Sequence, residues 1–336
     1  MRARSVRVKV LYGNKDISEE LAPFLKSFSY NDNLSGTVDD IDLTLEDRQE
    51  LWEGDWLPEK GAMLTVSLIS TNWEQTGEEE LALGLFEVDE IELSGLPHEV
   101  KIKGVSVPEN NKLRGEERSR SWEKVKLSAI AKDIADEAEL ELFIDTDNDK
   151  ELDRAEQTEE SDLSFLMRIC KDNGLALKIT DGKLVIFDEE KYEQAEPVGV
   201  IDKYSSRITG YSLRSKTREV YAACHVKYDN TQTGELIEYT FRPDEEKKGK
   251  TLQVSEQVQS VAEAEEKAKK KLREKNREEV TVGLNLMGSF RYSAGLTYTL
   301  EGFHAFDGKY LITKVGHSVG GGYRLSLDLR RCLDGY

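Results

Sequence analysis

The stretch Ala155–Leu177, AEQTEESDLSFLMRICKDNGLAL, carries the local signals that decide the fold class. Ser161 is suited to cap a helix. The carboxylate of Asp162 then lies in the first turn, where its negative charge interacts favourably with the helix dipole. Apolar residues follow at a spacing of three or four, and Gly174 provides a stop. The sequence predicts a helix over 161–173 that leads directly into an apolar strand.

The residues on either side extend this helix into a small domain. Downstream, LALKITDGKLVIFD is two apolar strands joined through Asp181-Gly182, a residue pair favoured in tight hairpins. Upstream, SWEKVKLSAIAKDIADEAELEL places Val125, Ile130 and Ile134 on one stripe and predicts a second amphipathic helix. Two helices and a hairpin predict an α+β insert.

The segments that flank this insert have strand periodicity. Residues 5–11, 36–45, 63–69, 83–93 and 100–107 contain short alternating or apolar runs, which are typical of a barrel or sandwich. After the insert, residues 211–228 and 234–241 predict paired strands, and 309–331 predicts a hairpin whose turn is Gly320–Gly322. The predicted fold class is α+β, mainly β. The predicted domains are 1–112 (β), 113–195 (insert) and 196–336 (β with one long helix).

The long helix is SVAEAEEKAKKKLREKNREE, which begins at Ser260. Its predicted apolar seam consists of Val261, Ala264, Ala268 and Leu272. Three acid–base pairs are at i,i+4 spacing, which stabilises helices: Glu263–Lys267, Glu265–Lys269 and Glu266–Lys270. Its basic run, 267–277, could bind nucleic acid, but the interleaved acids favour a solvated face or a surface for an acidic partner.

Composition excludes several functions. With 47 Lys and Arg against 66 Asp and Glu, the formal charge of −19 argues against general binding to phosphate backbones. No apolar run approaches the length needed to span a bilayer, so no membrane insertion is expected. The three dispersed cysteines suit buried thiols in a reducing cytoplasm. Residues 139–162 hold eleven acids and two bases, so the acidity is concentrated there.

This acidic segment contains a candidate calcium loop, DTDNDKELDRAE (145–156). Its acids include Asp145, Asp147, Asp149 and Glu156, at loop positions 1, 3, 5 and 12. Lys150, however, occupies the position where a glycine makes the sharp turn, and the preceding ELELFI is more typical of a strand than of an entering helix. The sequence therefore favours a solvated acidic loop over a metal site.

No enzyme motif stands out. The sequence lacks GxSxG, HExxH and a phosphate-cradling glycine loop, and its abundant carboxylates make any catalytic pair uninformative. The tryptophans lie in polar stretches, without an evident sugar platform. We expect no catalytic activity and no cofactor.

The motif in Ala155–Leu177 resembles the signature helix of the phage late control protein D family, which is related to the hub domain of VgrG-type spikes. The matching positions are Gln157, Glu160, Ser161, Asp162, Phe165, Leu166, Arg168 and Gly174. A second similarity lies near the C-terminus, in FDGKYLITKVGH, and includes Asp307, Gly308 and His317.

This resemblance implies a baseplate hub of a contractile tail or tail-like particle. In such a hub each chain has two tube-protein-like β-barrels, and a homotrimer adapts the hexameric tail tube to the trimeric spike. Implied partners are the tube, spike, tape-measure and other baseplate proteins, with DNA only as passing cargo. The implied location is the tail tip of the particle, after assembly in the bacterial host cytoplasm. A cell-wall (peptidoglycan) binding module and a tail-associated hydrolase are the alternatives.

The motif residues have structural interpretations. We expect Phe165 and Leu166 to pack the core of the insert, Ser161 and Asp162 to cap the helix, and Arg168 to bridge to an acid. Asp307-Gly308 is expected to form a tight turn. His317 is expected to contact a neighbouring polar group.

Overall fold

The computed structural model describes residues 3–106, 112–147, 149, 151–230, 235–246 and 248–336. Two compact units are present. Unit 1 comprises residues 1–189, 285–295 and 313–327, and unit 2 comprises residues 190–284, 296–312 and 328–336. The three predicted domains and their boundaries stay a prediction.

The N-terminal part of unit 1 is a large antiparallel sheet. Its elements are β1 (Ser5–Tyr12), β2 (Lys15–Asp16), α1 (Ser18–Leu21), β3 (Leu25–Asn33), β4 (Asp40–Glu46), β5 (Met63–Thr71), β6 (Glu78–Ser94) and β7 (Glu99–Val105). The strand order is β3–β4–β7–β6–β5–β1–β2. Alternation places one side of each strand in a shared core that includes Phe28, Ile41 and Phe86.

A glycine in this sheet is required by close packing. Gly104 pairs with Ile41 across β7 and β4. A Cβ atom at Gly104 would lie 2.9 Å from Ile41 Cγ1 and 3.2 Å from Phe86 Cβ. Any larger residue would therefore clash with Ile41 and Phe86 unless these core side chains shift.

The helical part of unit 1 follows. Its elements are α2 (Lys112–Gly115), β8 (Glu117–Lys126), α3 (Leu127–Glu137), β9 (Glu141–Asp145), β10 (Glu151–Ser161), α4 (Asp162–Asp172), β11 (Ala176–Thr180) and β12 (Lys183–Phe187). β11 and β12 form the predicted hairpin, with Asp181 and Gly182 both at positive φ, and β9 pairs parallel with β12. Phe165, Leu166 and Ile130 are fully buried in the core of this part.

Two segments of this part differ from the prediction. Residues 121–126, predicted as helix, belong to β8, and much of the predicted acidic loop is the strand β10. The two strands pair antiparallel, so that Glu151 lies opposite Lys126 and Glu160 opposite Arg118. Opposite charges on facing residues stabilise such a ribbon, and this pairing is not visible in local periodicity.

Unit 2 is built from a smaller sheet, a long helix and strands from the C-terminal third. The remaining elements of the chain are α5 (Glu189–Gln194), β13 (Val200–Asp202), β14 (Ile208–Ser215), β15 (Ala223–Asn230), β16 (Glu235–Phe241), β17 (Thr251–Val254), α6 (Val261–Asn276), β18 (Val280–Met287), β19 (Thr297–Glu301), a 3₁₀ turn (His304–Phe306), β20 (Gly308–Val319) and β21 (Tyr323–Arg331). β15 pairs with β16 and β17 beneath α6. The predicted turn between β15 and β16 includes residues 231–234, outside the described residues.

The helix α6 confirms most of its predicted seam. Ala264, Ala268 and Leu272 are fully buried, whereas Val261, the first residue of the helix, is 55% exposed. The pairs Glu265–Lys269 and Glu266–Lys270 form, at 3.0 and 2.9 Å. Lys267 instead pairs with Glu256, at 3.5 Å.

The α+β, mainly β, fold class is confirmed. Tube-like barrels remain a prediction. The C-terminal strands agree with the sequence, since Tyr323, Leu325, Leu327 and Leu329 are all buried on one face of β21. None of the helices within the described ranges is long and apolar enough to cross a membrane.

Candidate functional site

A buried carboxylate is at the centre of the motif region. Asp162, the first residue of α4, is only 1% exposed. Its carboxylate accepts hydrogen bonds from Arg120 Nη2 and, at 3.4 Å, from Arg118 Nη1. Both arginines project from β8 and also bind Glu137 of α3, at 2.6 and 3.1 Å. Arg118 also pairs with Glu116 at 3.0 Å, so the two cations face three anions and the buried charge is compensated.

Gln157 completes this network. It is 1% exposed, and its Nε2 donates to Asp162 Oδ1 at 2.7 Å and to the backbone oxygen of Glu160 at 2.9 Å. Its Oε1 accepts from Arg120 Nε at 3.0 Å. Every polar atom of the Gln157 side chain is bonded, so the residue fixes β10, β8 and the start of α4 to one another.

An aromatic stack borders the same network. The rings of Trp122 and Phe165 are nearly parallel, with centroids 5.1 Å apart. The guanidinium of Arg120 lies 5.0 Å from the Trp122 centroid, and that of Arg168 lies 5.4 Å from the Phe165 centroid. Arg120 therefore contributes both an ion pair and a cation–π contact.

The helix signals have separate roles. Ser161 Oγ accepts the backbone N–H of Ser164 at 3.2 Å, which confirms the predicted cap. Asp162 lies in the first turn, but its side chain turns back to the arginines of β8 and does not cap the helix. Gly174 follows α4 at φ +73°, the left-handed backbone that favours glycine at a helix end.

Arg168 makes the predicted acidic contact. It pairs with Glu160 and donates to the backbone oxygen of Glu156 at 2.7 Å. The hydrogen bond to Glu160 raises the pKa of Arg168 above its usual value. This pair fastens the middle of α4 to the end of β10.

His317 has a polar neighbour, as expected. Its Nδ1 lies 2.8 Å from the hydroxyl of Tyr323, which donates to the backbone oxygen of Ser289 at 3.1 Å. Burial lowers the pKa of His317 to about 4, although the charge of Asp32 opposes this shift. The imidazole is therefore neutral at pH 7, and at 2% exposure it offers no access to a substrate.

Asp307 and Gly308 form the predicted turn at the start of β20. Asp307 Oδ1 accepts the backbone N–H of Phe303 at 2.6 Å, and Gly308 is at φ +139°. Arg331 Nη2 donates to the backbone oxygen of Asp307 at 3.2 Å. These bonds give the motif a structural role.

The candidate calcium ligands are dispersed. Asp149 accepts the backbone N–H of Ser128 at 3.0 Å at the start of α3, Glu156 pairs with Arg154, and Asp147 is exposed. Asp145 ends β9. Among the described residues, no group of three His, Cys, Asp or Glu side chains could hold a metal ion. Lys150, on which the sequence argument depended, lies outside those residues.

Sequence reasoning missed two sets of charged residues. One is Arg118 and Arg120, whose alternation with Trp122 in RSRSW was the available signal. The other is in unit 2, where Glu193, 3% exposed, pairs with Arg273 at 2.7 Å and with Arg330. No local signal connects these three residues, because they are far apart along the chain.

These arrangements hold elements together, and the fold matches that of tail proteins. The 43 kDa tail protein of prophage MuSo2 from Shewanella oneidensis matches with a TM-score of 0.75 at 14% identity, over 97% of this chain and 98% of that one. The Escherichia coli c3393 protein, a component of the type VI secretion system, matches with a TM-score of 0.60 at 12% identity, over 100% and 78%. At such identities the likeness establishes the fold alone.

Sequence comparison gives the family. The model of the phage tail baseplate hub (GPD) family matches residues 107–323. A probable baseplate hub protein of Escherichia phage P2 is 31% identical over 178 residues, which are 52% of this chain and 43% of that protein. The chain thus belongs to the phage tail baseplate hub family, a structural family, and the match spans less than half of that relative's length.

Proposed function

We propose that the chain is a structural baseplate hub of a contractile phage tail or related tail-like particle. The family match over residues 107–323 carries this proposal, because it includes the whole network around Asp162 and most of unit 2. The likeness of fold to a tail protein over 97% of the chain supports it.

The proposed form is a homotrimeric ring that adapts the hexameric tail tube to the trimeric spike. In such a ring each copy bears load, and the compensated charges around Asp162 suit that task because they fix three elements rigidly. The tube, the spike, the tape-measure protein and other baseplate proteins are the proposed partners, at the tail tip of the particle. DNA would only pass through.

Mass photometry of the purified chain tests the ring. We expect trimers as the concentration rises, or on addition of isolated tail particles that lack the chain. A chain that stays monomeric both alone and on such particles would contradict the proposal.

The proposed hub has no enzymatic activity of its own. The buried, paired state of Asp162 and the inaccessibility of His317 support this, since a general acid or base must reach its substrate. Zymography on purified peptidoglycan is expected to give no clearing. Clearing that follows the purified chain would instead favour a tail-associated hydrolase.

A further inference from the structure

Unit 1 has an apolar cleft that neither the core nor the motif network explains. Its volume is about 470 Å³, within the range of sites that bind a side chain or small molecule. The cleft reaches core residues such as Leu43, Leu64 and Val88 at its base. Trp56 and Leu57, which are 40% and 46% exposed, form part of its wall.

The wall of the cleft is aromatic and fixed by packing. Trp56 meets Trp52 edge to face with ring centroids 5.6 Å apart, and meets Phe24 in the same way at 5.7 Å. Trp52 is 4% exposed, and its Nε1 has no hydrogen-bond partner among the described residues. A buried aromatic wall beside large exposed apolar side chains is typical of a pocket that receives an anchor residue.

The lining of the cleft carries net negative charge. Glu20, Asp55 and Glu59 contribute three carboxylates, against one ammonium from Lys15. An occupant that combines an apolar ring with a nearby cation would complement both the wall and the charge.

Unit 2 presents such a combination on a tight turn. Tyr204 is 80% exposed, although its backbone is well held. The backbone N–H groups of Tyr204 and Ser205 donate to Asp202 Oδ1 at 3.0 and 2.8 Å, and Asp202 N donates to Ser206 Oγ at 2.9 Å. A tyrosine held outward in this way loses little backbone entropy when it binds.

A lysine accompanies this tyrosine. Lys203 Nζ lies 5.6 Å from the ring centroid of Tyr204 and 4.9 Å from that of Tyr211, which is 49% exposed. The ammonium is therefore held beside the exposed rings, and the turn presents an aromatic anchor and a positive charge together.

We propose that Tyr204 and Lys203 of one copy bind in the Trp52–Trp56 cleft of a second copy. This inference rests on the proposed function, because it specifies a contact by which copies assemble. Tyr204 would cover the exposed faces of Trp56 and Leu57, and Lys203 would approach the carboxylates of Asp55 and Glu59. The two surfaces differ, so the contact is heterologous: the copy that gives its turn keeps a free cleft, and the copy that gives its cleft keeps a free turn, each open to a further copy.

Variants of the full-length chain test each side of the contact by sedimentation equilibrium. Tyr204→Ser and Trp56→Ala are each expected to weaken self-association by about tenfold or more, as the loss of an interface anchor does. Leu96→Ser and Leu236→Ser, at residues that are 84% and 53% exposed, are the matched controls and are expected to leave it unchanged.

A charge exchange tests the pairing itself. Glu59→Lys and Lys203→Glu are each expected to weaken association, and the double variant is expected to recover most of the loss. Failure of the double variant to recover any of it would contradict the proposed approach of these two residues.

A mixing experiment separates a lost contact from a misfolded variant. The Tyr204→Ser chain keeps its cleft and the Trp56→Ala chain keeps its turn, so an equimolar mixture is expected to form heterodimers that grow no further. Absence of heterodimers would overturn the proposal, as would wild-type-like association of both variants alone. In the second case the ring itself would stand, with another interface.

Wild-type chain that remains monomeric up to about 1 mM would overturn the contact as well, since two anchored surfaces should reach at least that affinity. The proposed hub function would then depend on assembly with isolated tail particles, which the preceding mass photometry measures separately.

Discussion

In the described part of each unit, a buried carboxylate is held by two arginines. Asp162 of unit 1 and Glu193 of unit 2 are 1% and 3% exposed as whole residues, with Arg118 and Arg120 as the partners of Asp162. Arg273 and Arg330 are the partners of Glu193.

The two sites differ in how the arginines are compensated. Arg118 and Arg120 also bind Glu137, and their side chains are 19% and 24% exposed. Arg273 and Arg330 are 15% and 5% exposed. Glu193 also accepts the backbone N–H of Leu333 at 3.0 Å, so it holds the C-terminal segment. Removal of the carboxylate should therefore lower the free energy of unfolding more at Glu193 than at Asp162, because the arginines around Glu193 have less access to water.

The largest expected effect is that of Glu193→Ala. Removing the carboxylate leaves Arg330 buried without this counter-charge, and the free energy of unfolding should fall by about 3–5 kcal/mol. Urea denaturation followed by circular dichroism measures the loss, and hydrogen exchange should locate it in α6. The exposed Glu196→Ala is the control, with a change within about 0.5 kcal/mol.

His317 is a buried polar group whose ring contacts the hydroxyl of Tyr323, and its contribution to stability should depend on pH. Its pKa is lowered to about 4 from an ordinary 6.5. The unfolded chain therefore binds more protons between these values, and stability should fall as the pH is lowered from 6.5 to 4. The full contribution is about 3 kcal/mol. The wild type minus His317→Gln difference in urea midpoints isolates it, and a difference that does not vary with pH would contradict the neutral imidazole.

Asp162→Ala should cost less than Glu193→Ala, about 2–3 kcal/mol, because Arg118 and Arg120 can regain water and keep Glu137. Urea denaturation followed by circular dichroism measures the loss. Asp133→Ala, at an exposed position of α3, is the control. If Asp162→Ala lowers the free energy of unfolding as much as Glu193→Ala does, the access of the arginines to water does not distinguish the two sites.

The smallest effect is expected at an exposed ion pair of the same ribbon. Arg154 and Glu156 are 60% and 54% exposed. Arg154→Ala should change the free energy of unfolding by at most about 0.5 kcal/mol, because water replaces the lost partner. Thermal denaturation measures this change. A larger loss of stability would mean that exposed ion pairs of the ribbon also contribute to its stability.

Some of these features could be predicted from the sequence, and others could not. The helix α4, its cap at Ser161 and the hairpin at Asp181-Gly182 follow from local rules and were predictable. The ribbon of β8 and β10 was not, because the pairs on its facing strands join residues that are far apart along the chain.

The candidate sites divide in the same way. Resemblance to a family pointed to Asp162, but its partners on β8 required the structure. Glu193 had no signal at all, since its arginines lie on α6 and β21, far along the chain. Helix caps and turns can be predicted from neighbouring residues in the sequence, whereas pairs of charges far apart along the chain cannot.

Imaging of the assembled tail tip by electron cryomicroscopy tests the hub assignment most directly. The account predicts three copies of the chain in a ring between the tail tube and the spike. A different copy number, or a position away from the junction of tube and spike, would contradict it.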